Sequence, residues 1–445
     1  MTKTRPADIP QEHPLRRQLN DELHARKFNN FDGTGRFIRY VYFTQGDDNK
    51  LLGDINTLLK SFGLRAMGAD EKFMRLEADK FAVRVERHTE FMSLSLIDMD
   101  DKPVKGLAAH AFDEAAFPHL PFDKIKALGH LVFHAIWVEI CQQPAKLPTS
   151  AEMEEALQGR TVAGDHVSSG GGELYAAFDI DAAGYSRMLL MNDRIAGYRM
   201  GRVMQRVIEM ETYRLMALLS LPKVKYHGPV LDKIEADLRA ATRTLSKVQH
   251  DEDAAQNVEE ADALLSKLTG LAADVEQIYS ETSYRFSASL AYQDIVNARI
   301  ASLKTSRLDG YQSIGGFLAK RMQPAMQSLT AFSSRIEHLS QRIARAGQLQ
   351  RSQTELSLQI QNRDLLTSMN KRTSAQLRLQ QTVEGLSLAA LTYYGVGLVG
   401  YVAEGVPMDV SVKLVKAIAV PVIGLSVWFV IKRVKRSLAK QTDQG

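Results

Sequence analysis

Apolar and polar residues alternate with two different periods along this chain, mixed in its first half and helical alone in its second. In the first 222 residues short runs alternate residue by residue, as strands do: Arg36 to Thr44, Phe73 to Glu77, Phe81 to Arg87, Phe91 to Ile97, His130 to Ile140, Thr161 to Val167, Glu173 to Ile180 and Tyr185 to Met191. They predict one sizeable sheet. Helical spacing interrupts them. Leu15, Leu19 and Leu23 share a face between Pro14 and Arg26, and Leu51, Leu52, Ile55, Leu58, Leu59 and Phe62 do so between a cap at Asp47 or Asp48 and a stop at Gly63. A helix from about Ile195 to Leu221 closes the domain, and PKVKYHGP, Pro222 to Pro229, reads as a hinge.

Beyond Pro229 the strand signals vanish and long helices take over. The spacing predicts one from Val230 to His250, a second from Ala254 to Leu308 with a break near Gly270, and a third after Gly315 and Gly316. Leu329, Phe332, Ile336, Leu339, Ile343 and Ala346 recur at three-four spacing, as in a coiled-coil seam. Leu358, Leu365, Leu379 and Leu386 then keep heptad phase, with Arg372 where another leucine is expected. No residue between Pro324 and Glu384 forces a break, so this helix is expected to run into the apolar end of the chain.

That end holds two uncharged stretches, Gly385 to Ala403 and Ala417 to Ile431. With Leu414, Val415 and a snorkelling Lys416 the second approaches the roughly 20 residues a spanning helix needs. Lys371, Arg372 and Arg378 precede the first; Lys432, Arg433, Lys435, Arg436 and Lys440 follow the second. The positive-inside rule puts both flanks, and so both termini, in the cytoplasm, with a lipid bilayer as a partner. The expected class is α+β. It comprises a mixed α/β cytosolic domain (1–222), a long helical, coiled-coil-like stalk (230–384), a transmembrane hairpin (385–431) and a basic tail (432–445). The N-terminal residues lack the apolar core of a signal peptide, so insertion is expected to rely on the hairpin.

Composition changes this picture little. Hydrophobic content of 45% and charged content of 24% suit a folded chain, and a net charge of +4 concentrated beside the membrane argues against a nucleic-acid partner. Cys141, the sole cysteine, excludes intrachain disulfides and cysteine-cluster metal sites. Charge is uneven along the stalk. The segment 251–281 holds nine acids and Lys267 alone as a base, whereas Arg299 to Glu384 holds thirteen bases against five acids. Complementary solvated helices account for this. A loose site for magnesium or another divalent cation at Asp251, Asp253, Glu259 and Glu260 is the functional alternative, since hard cations take carboxylate oxygens. No other cofactor is expected.

Several stretches resemble a bacterial membrane-anchored family known as domain of unknown function thirty-four twenty-two. They are HPLRRQLNDELHAR, VERHTEF (Val85 to Phe91), QRVIEMETYRLMALLSLP, SYRFSASLAYQDIV, LQIQNRDLLTSMNKR and LRLQQTVEGLSLAALTYYGVGLVGYVAEG. Lys27 stands where that family usually has proline. The resemblance implies membrane attachment and brings no catalytic residues. In layout the chain is also similar to CorA-type magnesium channels, although their Gly-Met-Asn signature is missing and Tyr394 to Gly397 is the nearest run.

Single motifs weigh less. GVGLVG, Gly395 to Gly400, matches a dinucleotide fingerprint in letters but lies inside an apolar span, where Gly395, Gly397 and Gly400 suit close helix packing and homo-oligomer formation. His130 and His134 stand four apart on a strand, about 13 Å, too far to share a zinc ion. SSGGG at Ser168 to Gly172 reads as a hairpin loop. His24 with Arg26, and Glu86 with Arg87 and His88, form the densest polar groups of the first domain, as a structural network or as groups for proton transfer or anion binding. No catalytic motif occurs, so a non-enzymatic oligomeric scaffold or regulator is expected, with a CorA-like divalent-cation channel as the alternative.

Overall fold

The structure is a computed structural model describing residues 13, 15–16, 34–44, 48–98, 106–108, 111–248, 257–405 and 411–442. The chain divides into two compact units, Met1–Arg243 with Lys267–Arg345, and Thr244–Ser266 with Ala346–Gly445.

The first unit is built on a nine-stranded sheet. Its strands are β1 (Gly35–Phe43), β2 (Phe73–Glu77), β3 (Phe81–Arg87), β4 (Phe91–Asp98), β5 (Val132–Gln142), β6 (Ala163–Val167), β7 (Gly172–Ile180), β8 (Tyr185–Asn192) and β9 (Ser306–Arg307). They lie in the order β2-β3-β4-β1-β5-β8-β7-β6-β9. The layout repeats itself. β1 is followed by helix α1 (Asn49–Ser61) and a meander whose last strand, β4, returns beside it. After helix α2 (Phe122–Lys126), β5 is followed by the counterpart of α1 in the second half, α3 (Ser150–Leu157), and a meander whose last strand, β8, likewise returns beside it. β1 and β5 are antiparallel neighbours at the centre, and β5 with β8 is the parallel pair.

Alternating strands predict one dry and one wet face, yet both faces are covered. One packs Ile38, Tyr40, Leu94 and Trp137 against α1, α2 and α3. The other packs Phe37, Val41, Ile136 and Leu190 against α4 (Gly197–Leu218) and parts of α6 (Asn257–Ser302) and α7 (Ile314–Gly405). Every residue of β4 and of β8 is therefore buried. The polar residues of the alternation are buried too, and must find partners inside.

Three helical expectations change. The segment Pro222 to Pro229 is no hinge: α5 (Leu221–Val248) runs through it with Pro229 inside. Pro222 sits in the first turn, where its missing N–H is harmless. Burial of Leu231, Ile234, Leu238, Ala241 and Leu245 along one stripe holds the rest against the cost of Pro229. Likewise α6 continues through Gly270. Strand pairing also does not end at Pro229, because β9 joins the edge strand β6 between α6 and α7. Asp165 of β6 accepts the Ile314 N–H at 2.9 Å and so caps α7 from the sheet. Asp48 stands at the N-cap of α1 without a side-chain capping bond, for a reason given below.

The seam Leu329, Phe332, Ile336, Leu339 and Ile343 is buried, at 5% exposure or less. Its partners are in the chain: Phe332 meets Phe286 of α6 edge to face at 5.8 Å, and Arg335 pairs with Asp232 and Glu235 of α5. In the second unit the later leucines behave differently. Leu358, Leu365, Leu379 and Leu386 are exposed. The C-terminal part of α7 then meets α8 (Val412–Thr442): a Cβ on Gly395 would lie 2.9 Å from Ile423, one on Gly400 2.0 Å from Lys416 Cε, and one on Gly424 3.7 Å from Thr392.

Candidate functional site

The turn between β3 and β4 carries VERHTEF, and its charged side chains part in different directions. Glu86 points into the sheet-to-helix layer. Arg39 of β1, Ser95 of β4 and Arg84 of β3 form one cross-strand row, with Ser93 and Glu86 in the next. Arg39 Nη2 lies 2.9 Å from Glu86 Oε2 and donates to Ser93 Oγ at 2.7 Å, while Arg84 Nη2 donates to Glu86 Oε1 at 2.7 Å. All three charged groups are at most 3% exposed. Burial by itself would raise the Glu86 carboxyl, but Arg39 and then Arg84 bring it down to about 2. Two guanidiniums thus share one carboxylate, and Arg39 Nε and Nη1 with Arg84 Nε find no partner among the described residues. Sequence reasoning missed both arginines. Their signal was a charge at the inward phase of an otherwise apolar strand.

The remaining residues of the segment reach the neighbouring helices and loops. Arg87 grips Asp48 through Nε (2.8 Å) and Nη2 (3.1 Å) and donates Nη1 to the Ala69 carbonyl, which takes the Asp48 side chain away from capping α1. The His88 ring stacks on Phe91 at 4.0 Å and stands edge-on to Tyr213 of α4, which itself stacks on Tyr292 of α6 at 5.4 Å. Glu90, 4% exposed, accepts from Arg285 Nη1 at 3.0 Å and from Tyr292 OH at 2.7 Å. Burial raises the Tyr292 phenol, as does its bond to Glu90, so it remains a donor. Arg285 and Tyr292, two turns apart on α6, both come from SYRFSASLAYQDIV. The two quoted segments are thus one locus.

Cavities of about 510 and 630 Å³ flank this turn, and Thr89 lines both. The smaller is walled by His88, Phe91, Tyr213 and Tyr292, with Asp48, Asp70, Lys72 and Arg87 around them. The larger runs between Phe43, Glu90, Pro222, Glu281, Tyr284 and Arg285. Asp48, Glu86 and Glu90 are each held by a guanidinium. The arrangement clamps sheet, α1, α4 and α6 together and offers an aromatic, electrically balanced cleft.

The other predicted residues fall elsewhere. His24, Arg26, Asp251 and Asp253 lie outside the described residues, as does the Glu259 side chain; Glu260 is exposed. Among the described residues no group of three His, Cys, Asp or Glu side chains could hold a metal ion. His130 bonds to Asp54 at 2.7 Å, whereas His134 is buried 3.3 Å from Glu211. Burial opposes ionisation of Glu211, but bidentate Arg214 holds its carboxyl at about 2. SSGGG is the β6–β7 loop; Ser168, Ser169 and Gly170 adopt positive φ, and Ser168 N–H bonds the Leu303 carbonyl at the end of α6. Gly395 and Gly400 face α8, while a Cβ on Gly397 would meet nothing within 4 Å.

A family model described as "Protein of unknown function (DUF3422)" matches residues 11–438. No curated protein matches the chain.

Proposed function

We propose, for a chain that belongs to the DUF3422 family of unknown function, the role of a membrane-tethered, non-enzymatic scaffold or regulator that acts as a homo-oligomer from the cytoplasmic face of a bacterial inner membrane. One observation carries the tether. The apolar end of α7 and the stretch Val412–Arg433 have mean hydropathies of 1.5 and 2.3 over their best windows, of which 6% and none is buried. Two helices that apolar, packed on each other through Gly395 and Gly400 and otherwise bare, are what a bilayer would cover. Self-association rests on the exposed Leu358, Leu365 and Leu379, which keep heptad spacing on a helix entering the first span. Copies in one membrane would present these residues in parallel and at one height.

The test is made on the full chain expressed in a bacterium. The protein is expected in the inner-membrane fraction and resistant to alkaline extraction. Native mass measurement in detergent is expected to give oligomers that L365E with L379E reduces to monomers. Release by alkali would overturn the tether, and an unchanged assembly of the double variant would overturn the seam. Magnesium flux into liposomes bearing the protein would replace the scaffold with the ion-conducting reading that the layout resembles.

A further inference from the structure

The β7 strand departs from its pairing with β8 between Ala176 and Ile180, and within that bulge Phe178 holds φ at 61°, a left-handed conformation that side chains disfavour. Gly159 makes room for the bulge, since a Cβ there would lie 2.2 Å from Ala177 Cβ. The result is to aim Phe178 away from the sheet and onto Phe317 of α7, ring to ring at 5.2 Å and 22°. Each ring carries a guanidinium: Arg214 lies 5.4 Å from the centroid of Phe178 and Arg321 3.7 Å from that of Phe317. A cavity of about 330 Å³ opens here, lined also by Arg160, Leu318 and Met322.

The charges in this cavity do not balance. Arg214 is spent on Glu211. Asp179 accepts the backbone N–H of Arg160 at 2.9 Å and leaves that side chain alone. Asp179, the one acid among the described residues of the lining, acts on the Arg214 charge as well, and among the described residues neither Arg160 nor Arg321 forms an ion pair with an acidic side chain. A guanidinium lying flat on a ring keeps its N–H edge in plane, the geometry that meets a carboxylate or phosphate with two parallel bonds. Leu318 and Met322 line the same cavity.

We propose that the cavity between β7, α4 and α7 binds a small amphiphilic oxyanion, its carboxylate or phosphate held by Arg160 and Arg321 and its compact apolar part reaching the cavity's narrow apolar floor at Leu318 and Met322. This site is separate from the turn at Glu86 and does not rest on the scaffold reading. It also gives the strained Phe178 a purpose, since the bulge builds the aromatic floor on which Arg321 is spread.

The full chain in nanodiscs is titrated calorimetrically with phenyl phosphate, benzoate and the neutral benzyl alcohol. Saturable binding of at least one anion, with benzyl alcohol binding much more weakly, is expected. Because each charged hydrogen bond is worth a substantial fraction of such an affinity, R160Q with R321Q should weaken it roughly tenfold or more, and each single variant should fall between. Both residues are exposed, so unfolding temperatures should match wild type. Equal binding of benzyl alcohol, undiminished binding by the double variant, or no saturable binding of either anion would overturn the proposal.

Discussion

Glu139 of β5 accepts bonds from Arg36 Nε at 3.0 Å and Trp137 Nε1 at 2.9 Å, yet Arg36 is shared with Asp98, which it meets at 2.6 Å. Burial is the larger influence and pushes the Glu139 carboxyl up to about 7 against the pull of Arg36. Glu86 and Glu211 go the other way, to about 2, because each has a guanidinium aimed squarely at it. The consequences for stability have opposite signs. Between an ordinary carboxyl pKa near 4.5 and about 7 the unfolded chain releases the Glu139 proton while the folded chain keeps it. Rising pH therefore costs stability in that window, on the order of 3 kcal/mol in full. Glu86 and Glu211 instead cost stability as pH falls from about 4.5 towards 2, where the unfolded chain takes up protons first. E139Q is expected to lose the first dependence. With Trp428 replaced by Phe, urea unfolding followed by Trp137 fluorescence should show wild type weakening relative to E139Q from pH 5 to 8. Parallel curves would show that Arg36 keeps Glu139 ionised throughout.

At the scale of elements, the glycines in the apolar end of α7 divide by direction. Gly395 and Gly400 are where α8 approaches α7, Ile423 filling the first notch and the Lys416 stem the second, with Lys416 Nζ reaching Glu404 at 3.2 Å. Gly397 has open space. G395L should therefore pry the hairpin apart, and G397L should not. In a Cys141→Ser background, T392C with G424C joins positions now 3.7 Å apart from Cβ to side chain. Oxidative crosslinking of this pair is expected in the parent and in G397L and to fall several-fold in G395L, in keeping with small residues setting helix approach. Efficient crosslinking in G395L would mean that the span tolerates bulk by rotating.

For the whole molecule, the proposed two-span tether would put the residues before the first apolar helix and after the second on one side of the membrane, and the basic flanks lead us to expect that side to be the cytoplasm. Single cysteines at Gly405 and Gln441, again with Cys141→Ser, test this in intact cells, or in spheroplasts where an outer membrane intervenes. A membrane-impermeant thiol reagent should label the loop position and spare the tail. The reverse pattern would invert the topology and place the sheet unit outside.

What the residues determined alone is what short-range pattern can encode. Period-two alternation located β2 and β3 at their actual bounds, three-four spacing located the buried seam from Leu329 to Ile343, and uncharged length located both apolar helices. Each reflects a residue's relation to neighbours a few positions away, where backbone geometry fixes direction. Tertiary structure decided whatever depends on distant partners. Alternation could not say that both sheet faces would be covered, so nothing in it marked Arg39 and Arg84 as the counter-charges of Glu86. Glu90 is joined to Arg285 across 195 residues, Pro229 is carried inside a helix by the stripe that follows it, and β9 exists because Asp165 and His166 offer it an edge. Pattern assigns each side chain a phase; packing then decides which surface that phase will meet, because burial and charge pairing are properties of the assembled layers and not of any one of them.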